Sequence, residues 1–272
     1  MNDKIYDKEF YENWFRKSDT EDDIGYQNNA KYLYSVIPDE YLGHINKVAE
    51  IGGSTGGNLF YIGKYKRFQT LDNYELSEDA INLGKERYVI VNQIHANLLE
   101  EHIPQKYDII ILSDIVEHFK DDNGFLEQVK TKTEYIALKM PIEKAVYTQM
   151  KRYFSKNPVV LGETHPSGHY HEYTVKETLS LVKKHFEIIN FFPYSIQQDK
   201  EVLEYNNARY HQNQKIKKIF YMMQRLFYKC VPLSVFISVF GGNVFLFAKT
   251  KSDTTTLNEN SYESNNNCRN TT

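Results

Sequence analysis

Within Tyr107–Ser113 (YDIIILS), residues 109–112 form an unbroken apolar run. A strand with one wet face alternates apolar and polar residues, so this run predicts a strand covered on both faces. That points to a parallel sheet with helices on either side, and the flanking sequence repeats the pattern. Lys47–Gly52 (KVAEIG) reads as a buried strand, followed by a helix over Gly57–Tyr65. Phe68–Leu76 is a second strand, with Ser77 as N-cap of a helix running to Arg87; Tyr88–Ile94 and Glu134–Pro141 add two more strands. Strands alternating with helices from Asn46 to about Glu143 imply βαβ units and an α/β, doubly wound sheet.

Beyond residue 143 the rhythm loosens. Thr174 and Glu177 form a capping box ahead of a helix to about His185, and Phe186–Tyr194 reads as a strand. Residues 196–240 form a helical insertion, basic in its middle (KIKKIFYMMQRLFYK), before a last strand at 244–249. Residues 1–45 are tyrosine-rich and read as a helical cap, and 46–250 as the main domain. The tail, 251–272, is rich in Asn, Thr and Ser with little to bury, and is expected to be disordered.

The eighteen residues Val231–Ala248 carry no charge, near the lower limit for a membrane span. Pro232, Gly241, Gly242 and Asn243 interrupt them, so a short buried helix, a turn and a strand are expected instead. The N-terminus, MNDKIYDKEF, lacks an apolar signal-peptide core. Two cysteines, Cys230 and Cys268, sit outside any paired motif, which argues against a disulfide scaffold or a zinc finger. A net charge of −3 gives no global pull toward nucleic acid. A cytoplasmic protein with a small-molecule partner and no nucleic-acid partner is expected. The lysine-rich helix within 215–240 leaves room for peripheral membrane contact.

The chemistry concentrates at strand ends. The first strand runs into Glu50-Ile-Gly52-Gly53-Ser54-Thr-Gly56-Gly57-Asn58. Glycines at such a turn let the backbone approach a ligand closely. A dinucleotide fingerprint would need glycines at 52, 54 and 57, and Ser54 breaks it. Glu75 closes the second strand 23 residues after Gly52, where a carboxylate can accept both hydroxyls of a ribose. Asp114, Glu117 and His118 have i, i+3, i+4 spacing and could share one helical face as a metal site. His165, His169 and His171 cluster in ETHPSGHYHEYT and could be ligands or a general base, in a loop suited to acceptor contacts.

The blocks VAEIGGSTGGN, LDNYELSEDAI, ANLLEEHIPQKYDIIILSDIVEHF and YIALKMPIE resemble successive motifs of class I S-adenosylmethionine-dependent methyltransferases. They are similar to the ubiquinone-biosynthesis type and to the sugar-modifying branch. The resemblance covers about residues 46–143 and extends loosely through GHYHEYTVKETLSLVKKHFEIINF. It implies a Rossmann-like, mostly parallel seven-stranded sheet with helices on both faces and the last strand antiparallel. It implies S-adenosylmethionine as cofactor, with Glu50 and Gly52 flanking its methionine part and Gly53, Ser54 and Gly56 in the binding turn. Glu75 would hold the ribose, and Asn97 stands where the family often has an aspartate on the adenine amino group. Ser113 and Asp114 would lie beside the methyl donor. Some relatives carry an acidic-plus-histidine cluster like Asp114, Glu117 and His118; in metal-independent members the block forms the active-site wall, and no metal is assigned. His169, and after it His118, are the candidate bases for an acceptor hydroxyl.

The resemblance points to methyl transfer onto a sugar hydroxyl of a nucleotide-linked or surface-polysaccharide precursor, with a quinone-like or phenolic lipid precursor as alternative. An NAD-dependent oxidoreductase and a non-catalytic cofactor-binding subunit are the readings from other classes.

Overall fold

The computed structural model describes residues 23–97, 103–155, 159–211 and 215–251. Residues 1–22 of the expected cap and 252–272 of the expected disordered tail lie outside the described residues. Among the described residues seven strands form one sheet: β1 (Lys47–Ile51), β2 (Thr70–Glu75), β3 (Asn92–His95), β4 (Tyr107–Ser113), β5 (Thr133–Ile142), β6 (Phe186–Tyr194) and β7 (Gly242–Thr250). Their spatial order is β3-β2-β1-β4-β5-β7-β6. β7 pairs antiparallel with both β5 and β6, and the other pairings are parallel. This is the Rossmann-like arrangement: successive strands are added on one side of β1 up to β3 and on its other side from β4 onward, which opens a crevice between β1 and β4.

The apolar run in β4 behaves as its sequence requires: Ile110 and Leu112 face one hydrophobic core, Ile109 and Ile111 the other. The first core is closed by α5 (Asp122–Lys130), α7 (Val175–His185) and α10 (Leu233–Phe240), and the second by α1 (Asp23–Ser35) and α3 (Gly57–Tyr65). A short α2 (Asp39–Leu42) follows α1, and α4 (Glu78–Arg87) packs beside β2 and β3. Local signals set several boundaries. Ser77 Oγ accepts from the backbone N–H of Ala80 to cap α4. At α7 both halves of the capping box form, Glu177 N donating to Thr174 Oγ1 and Thr174 N donating to Glu177 Oε2. Each such cap is worth about 1 kcal/mol.

β3 is shorter than its β-branched sequence suggests. Tyr88 ends α4 by donating its N–H to Gly84 O, and Val91 N then turns back onto Tyr88 O. Val89 and Ile90 are consequently left exposed, and pairing with β2 starts only at Asn92. Burial of Tyr88 and Val91 against the sheet overrides the strand propensity between them.

Residues 231–248 divide as their Pro and Gly residues predict. Pro232 caps α10, Gly241 takes a φ of 83°, and β7 runs between β5 and β6. Among the described residues no helix is long and apolar enough to cross a membrane. The rest of 196–240 is helical, as α8 (Lys200–His211) and α9 (Lys215–Cys230). One further helix, α6 (Val146–Tyr153), follows β5.

Candidate functional site

The C-terminal ends of β1, β2 and β4 and the segment after β3 surround one crevice, whose walls include Gly52, Glu75, Asn97, Asp114, Ile115 and His118. It encloses about 130 Å³, and about 650 Å³ counted out to its open mouth. Its lining also includes the apolar side chains of Leu76, Ala96 and Phe119.

The β1–α3 turn reaches the crevice through Gly52. Gly52 has a φ of 68°, and a Cβ there would meet Ile115 Cδ1 at 2.5 Å, so both the dihedral and the space favour glycine. A Cβ on Gly53 would meet Asn73 Oδ1 at 2.2 Å and Glu50 Oε2 at 2.7 Å. Ser54 is held at a φ of 52°, unusual for a side-chain-bearing residue. Two contacts impose it: Ser54 N donates to Glu75 Oε2 at 2.8 Å, and Asn73 Nδ2 donates to Ser54 O at 2.8 Å. Gly56 is the N-cap of α3. The other oxygen of Glu75, Oε1, accepts from Leu76 N and Ser77 N at 2.8 Å each. Glu75 therefore braces the turn as well as facing the crevice.

Beneath the turn Glu50 is fully buried. Its Oε1 accepts from Asn58 Nδ2 at 2.7 Å, while Oε2 has no hydrogen-bond partner. Asn58 Oδ1 and Asn73 Oδ1 are buried acceptors equally without a donor. Burial pushes the Glu50 carboxyl up to about 7, against the Asn58 hydrogen bond and with help from the nearby Glu75 and Asp114 charges. A group of unsatisfied acceptors around a carboxylate calls for a donor-rich cation such as an ammonium group.

Asp114 also has a positive φ, 52°, at the end of β4. The expectation that Asp114, Glu117 and His118 share a helical face is not met. Val116–His118 is a single 3-10 turn, and the Asp114 carboxylate is paired with Lys139, which the β4–β5 register sets opposite Ser113. Ser113 itself is buried at the strand end and is not part of the crevice wall.

Glu117 instead meets the histidine loop. Its backbone carbonyl accepts from Tyr170 N at 2.9 Å and from His171 N at 3.3 Å, which draws residues 168–171 under the 3-10 turn. His118 lines the crevice, and the ring of His169 stands edge-on behind it with centroids 4.7 Å apart. His169, 6% exposed, shares a hydrogen bond of 2.7 Å between its Nδ1 and Glu143 Oε2. His165 stacks on His169 at 4.3 Å, and its Nδ1 lies 3.3 Å from the backbone nitrogens of Ser167 and His169. Arg152 closes the far side, 3.1 Å from His165 Nε2 and paired with Glu172. His171, by contrast, contacts the Lys120 carbonyl at 3.1 Å and serves the loop alone.

Burial and the neighbouring His169 push the His118 imidazole down to about 3, so it is neutral near pH 7. Burial, reinforced by the Asp114 charge, holds the Glu117 carboxyl well above the usual range. Glu143 is held low: burial works against its charge, but the hydrogen bond from His169 together with the charges of His169, His165 and Arg152 outweighs it.

Of the residues singled out in the sequence, Gly52, Glu75, Asn97, Asp114 and His118 line the crevice. Glu50, Gly53, Ser54 and Gly56 belong to β1 and the turn that Gly52 opens and do not themselves line the crevice, and His169 is in contact with His118 at its wall. Sequence reasoning passed over Asn73, Lys139 and Glu143 as individual residues. Only their positions at the ends of predicted strands marked them, Glu143 closing the KMPIE block.

No protein-family model matches the chain, and no curated protein matches it. Solved structures do. Magnesium protoporphyrin IX methyltransferase from Synechocystis PCC 6803, with bound SAH, aligns over 90% of this chain and 100% of its own, at 11% identity and a TM-score of 0.56. Phosphoethanolamine N-methyltransferase 2 from Haemonchus contortus, in complex with S-adenosyl-L-methionine, aligns over 91% of this chain and 58% of its own, at 16% identity and a TM-score of 0.54. The [4+2]-cyclase SpnF aligns over 82% of this chain and 81% of its own, at 11% identity and a TM-score of 0.51. The chain thus has the Rossmann-like fold that S-adenosylmethionine-dependent methyltransferases use. At these identities the likeness is one of fold, and SpnF carries that fold with another reaction in its name.

Proposed function

We propose that the protein is an S-adenosylmethionine-dependent methyltransferase acting on a small acceptor. The observation that carries this reading is the crevice lined together by Gly52, Glu75 and Asn97, with the orphaned carboxylate oxygen of Glu50 buried below the glycine turn beside it. The donor set fits the cofactor. Glu50 would attract the ammonium group of the methionine part, and Gly52, Gly53, Ser54 and Gly56 would admit it to the turn. Glu75 would accept from the ribose, Asn97 from the adenine amino group, and the apolar side chains of Leu76 and Phe119 would cover the base. Ser113 and Asp114 would lie toward the methyl end, Asp114 being paired with Lys139. When bound, the cofactor supplies an electrophilic methyl group on a sulfonium. The protein's main task is then to align an acceptor with it.

His118, neutral at the wall with His169 and Glu143 behind it, would face the acceptor and could accept a hydrogen bond from its hydroxyl. This supports a hydroxyl acceptor, and a sugar hydroxyl of a nucleotide-linked or surface-polysaccharide precursor is the substrate class proposed. A lipid-borne phenolic or quinone-like acceptor is the second reading. Exposed Met222, Met223 and Leu226 on α9, beside Arg225 and Lys229, favour contact with an anionic bilayer. The side chains of Lys215, Lys217 and Lys218 lie outside the described residues.

Calorimetric titration tests the cofactor directly. One equivalent of S-adenosylmethionine should bind, and NADH should not; the reverse result would overturn the assignment. Turnover by the purified chain alone separates an enzyme from a cofactor-binding subunit.

A further inference from the structure

Glu117 is 1% exposed, and neither of its carboxylate oxygens has a hydrogen-bond partner. A buried carboxylate without donors costs several kcal/mol unless a cation satisfies it or it stays protonated. Two imidazoles stand ready to take part. One ligand atom from each of Glu117, His118 and His169 lies within 4.8 Å of the others, and His169 Nε2 is 4.0 Å from Glu117 Oε1. Donor atoms bound at about 2.1 Å to one tetrahedral ion are about 3.4 Å apart, so a small side-chain contraction would close the group around an ion.

The surrounding hydrogen bonds orient the group for this. The Nδ1 of His169 is engaged by Glu143, which directs Nε2 toward Glu117. His118 hydrogen-bonds the backbone of Gly168. A carboxylate holding one nitrogen of an imidazole while the other meets a metal is the usual outer layer of such sites. A second cluster, Glu143, His165 and His169, is equally compact. Its Glu143–His169 contact of 2.7 Å is, however, a hydrogen bond, too short for two ligands of one ion. It is therefore the support and not the site. Asp114 is excluded from the ligand set by Lys139.

We propose that Glu117, His118 and His169 bind a divalent transition-metal ion, Zn²⁺ by preference, with Glu143 as the positioning residue for His169. Two imidazoles and one carboxylate are a ligand set suited to Zn²⁺ and leave a coordination position open. Because His118 also lines the crevice, that ion would stand at the acceptor end. Its use as a Lewis acid on the acceptor oxygen rests on the methyl-transfer reading; the site itself does not.

The test uses untagged full-length protein stripped of metal. Co²⁺ reports coordination through its visible absorption, and Zn²⁺ binding is followed by calorimetry and by displacement of Co²⁺. The wild type should take up one equivalent of each. Glu117→Gln, close to isosteric and checked for folding by its melting temperature, should lose that equivalent, as should His169→Ala. Glu143→Gln should weaken it roughly 10- to 100-fold, the usual effect of an outer-layer partner. His171→Ala should leave it unchanged. No stoichiometric uptake by the wild type, or uptake that survives both Glu117→Gln and His169→Ala, would overturn the site. The two readings fail separately. S-Adenosylmethionine binding without metal uptake removes the site alone, whereas metal uptake without S-adenosylmethionine binding supports the site and removes the methyltransferase reading.

Discussion

Glu50 holds a buried carboxylate with one donor and one unsatisfied oxygen, and Glu50→Gln removes the charge while keeping the shape. In the unfolded chain the carboxyl titrates near 4.5, in the folded one at about 7. Below the lower value both states are protonated and the side chain costs the fold little. As pH rises through 7 the folded protein must either keep a proton that the unfolded chain has released or bury a charge, and stability falls. Each tenfold change in proton affinity is worth about 1.36 kcal/mol, so the full loss is roughly 3 kcal/mol. The amide variant escapes it: it carries no charge to bury, and its carbonyl can accept from Asn58. Cofactor-free Glu50→Gln should therefore gain on the wild type between pH 4.5 and 8, levelling off at roughly 3 kcal/mol, or about 6–10 °C in melting temperature. Urea unfolding of both proteins across that range measures the difference. A difference that does not grow with pH would refute the argument. The same variant should bind S-adenosylmethionine more weakly, a trade of ligand affinity for stability.

Glu75→Gln should weaken S-adenosylmethionine by roughly 10- to 100-fold in calorimetry, the loss of a charge-assisted contact. It should also lower the melting temperature, because Glu75 braces Ser54, Leu76 and Ser77. Ser54→Val, placing a β-branched residue at a φ of 52°, should cost roughly 1–3 kcal/mol in urea unfolding, whereas Ser54→Gly should be tolerated. Thr174→Ala removes one half of the α7 capping box and should cost about 1 kcal/mol, read as a fall of roughly 2–4 °C in melting temperature.

How far the sequence speaks depends on the range of the interaction that decides each feature. The limits of α3, β4, α7 and β6 follow from neighbours in the chain: a glycine turn, an unbroken apolar run, and a capping box closed within four residues. Those signals are local and legible without the fold. The glycine turn and its flanking carboxylates were legible for the same reason, since Glu50, Gly52 and Glu75 sit at strand ends that apolar patterning locates. Tyr88–Ile94 misled because strand propensity is weak, and burial of Tyr88 and Val91 against residues distant in sequence settled the boundary. The cluster around Glu117 was hidden more deeply. Asp114, Glu117 and His118 suggested one helical face, but strand register gave Asp114 to Lys139, and two backbone hydrogen bonds brought the loop of His169 to Glu117. Those contacts span dozens of residues, and their geometry depends on how strands stack and where a loop is pinned. The sequence by itself therefore determined the strand–turn–helix units and the glycine turn at the crevice. Tertiary structure alone decided which carboxylates are neutralised by lysine and which remain buried beside imidazoles.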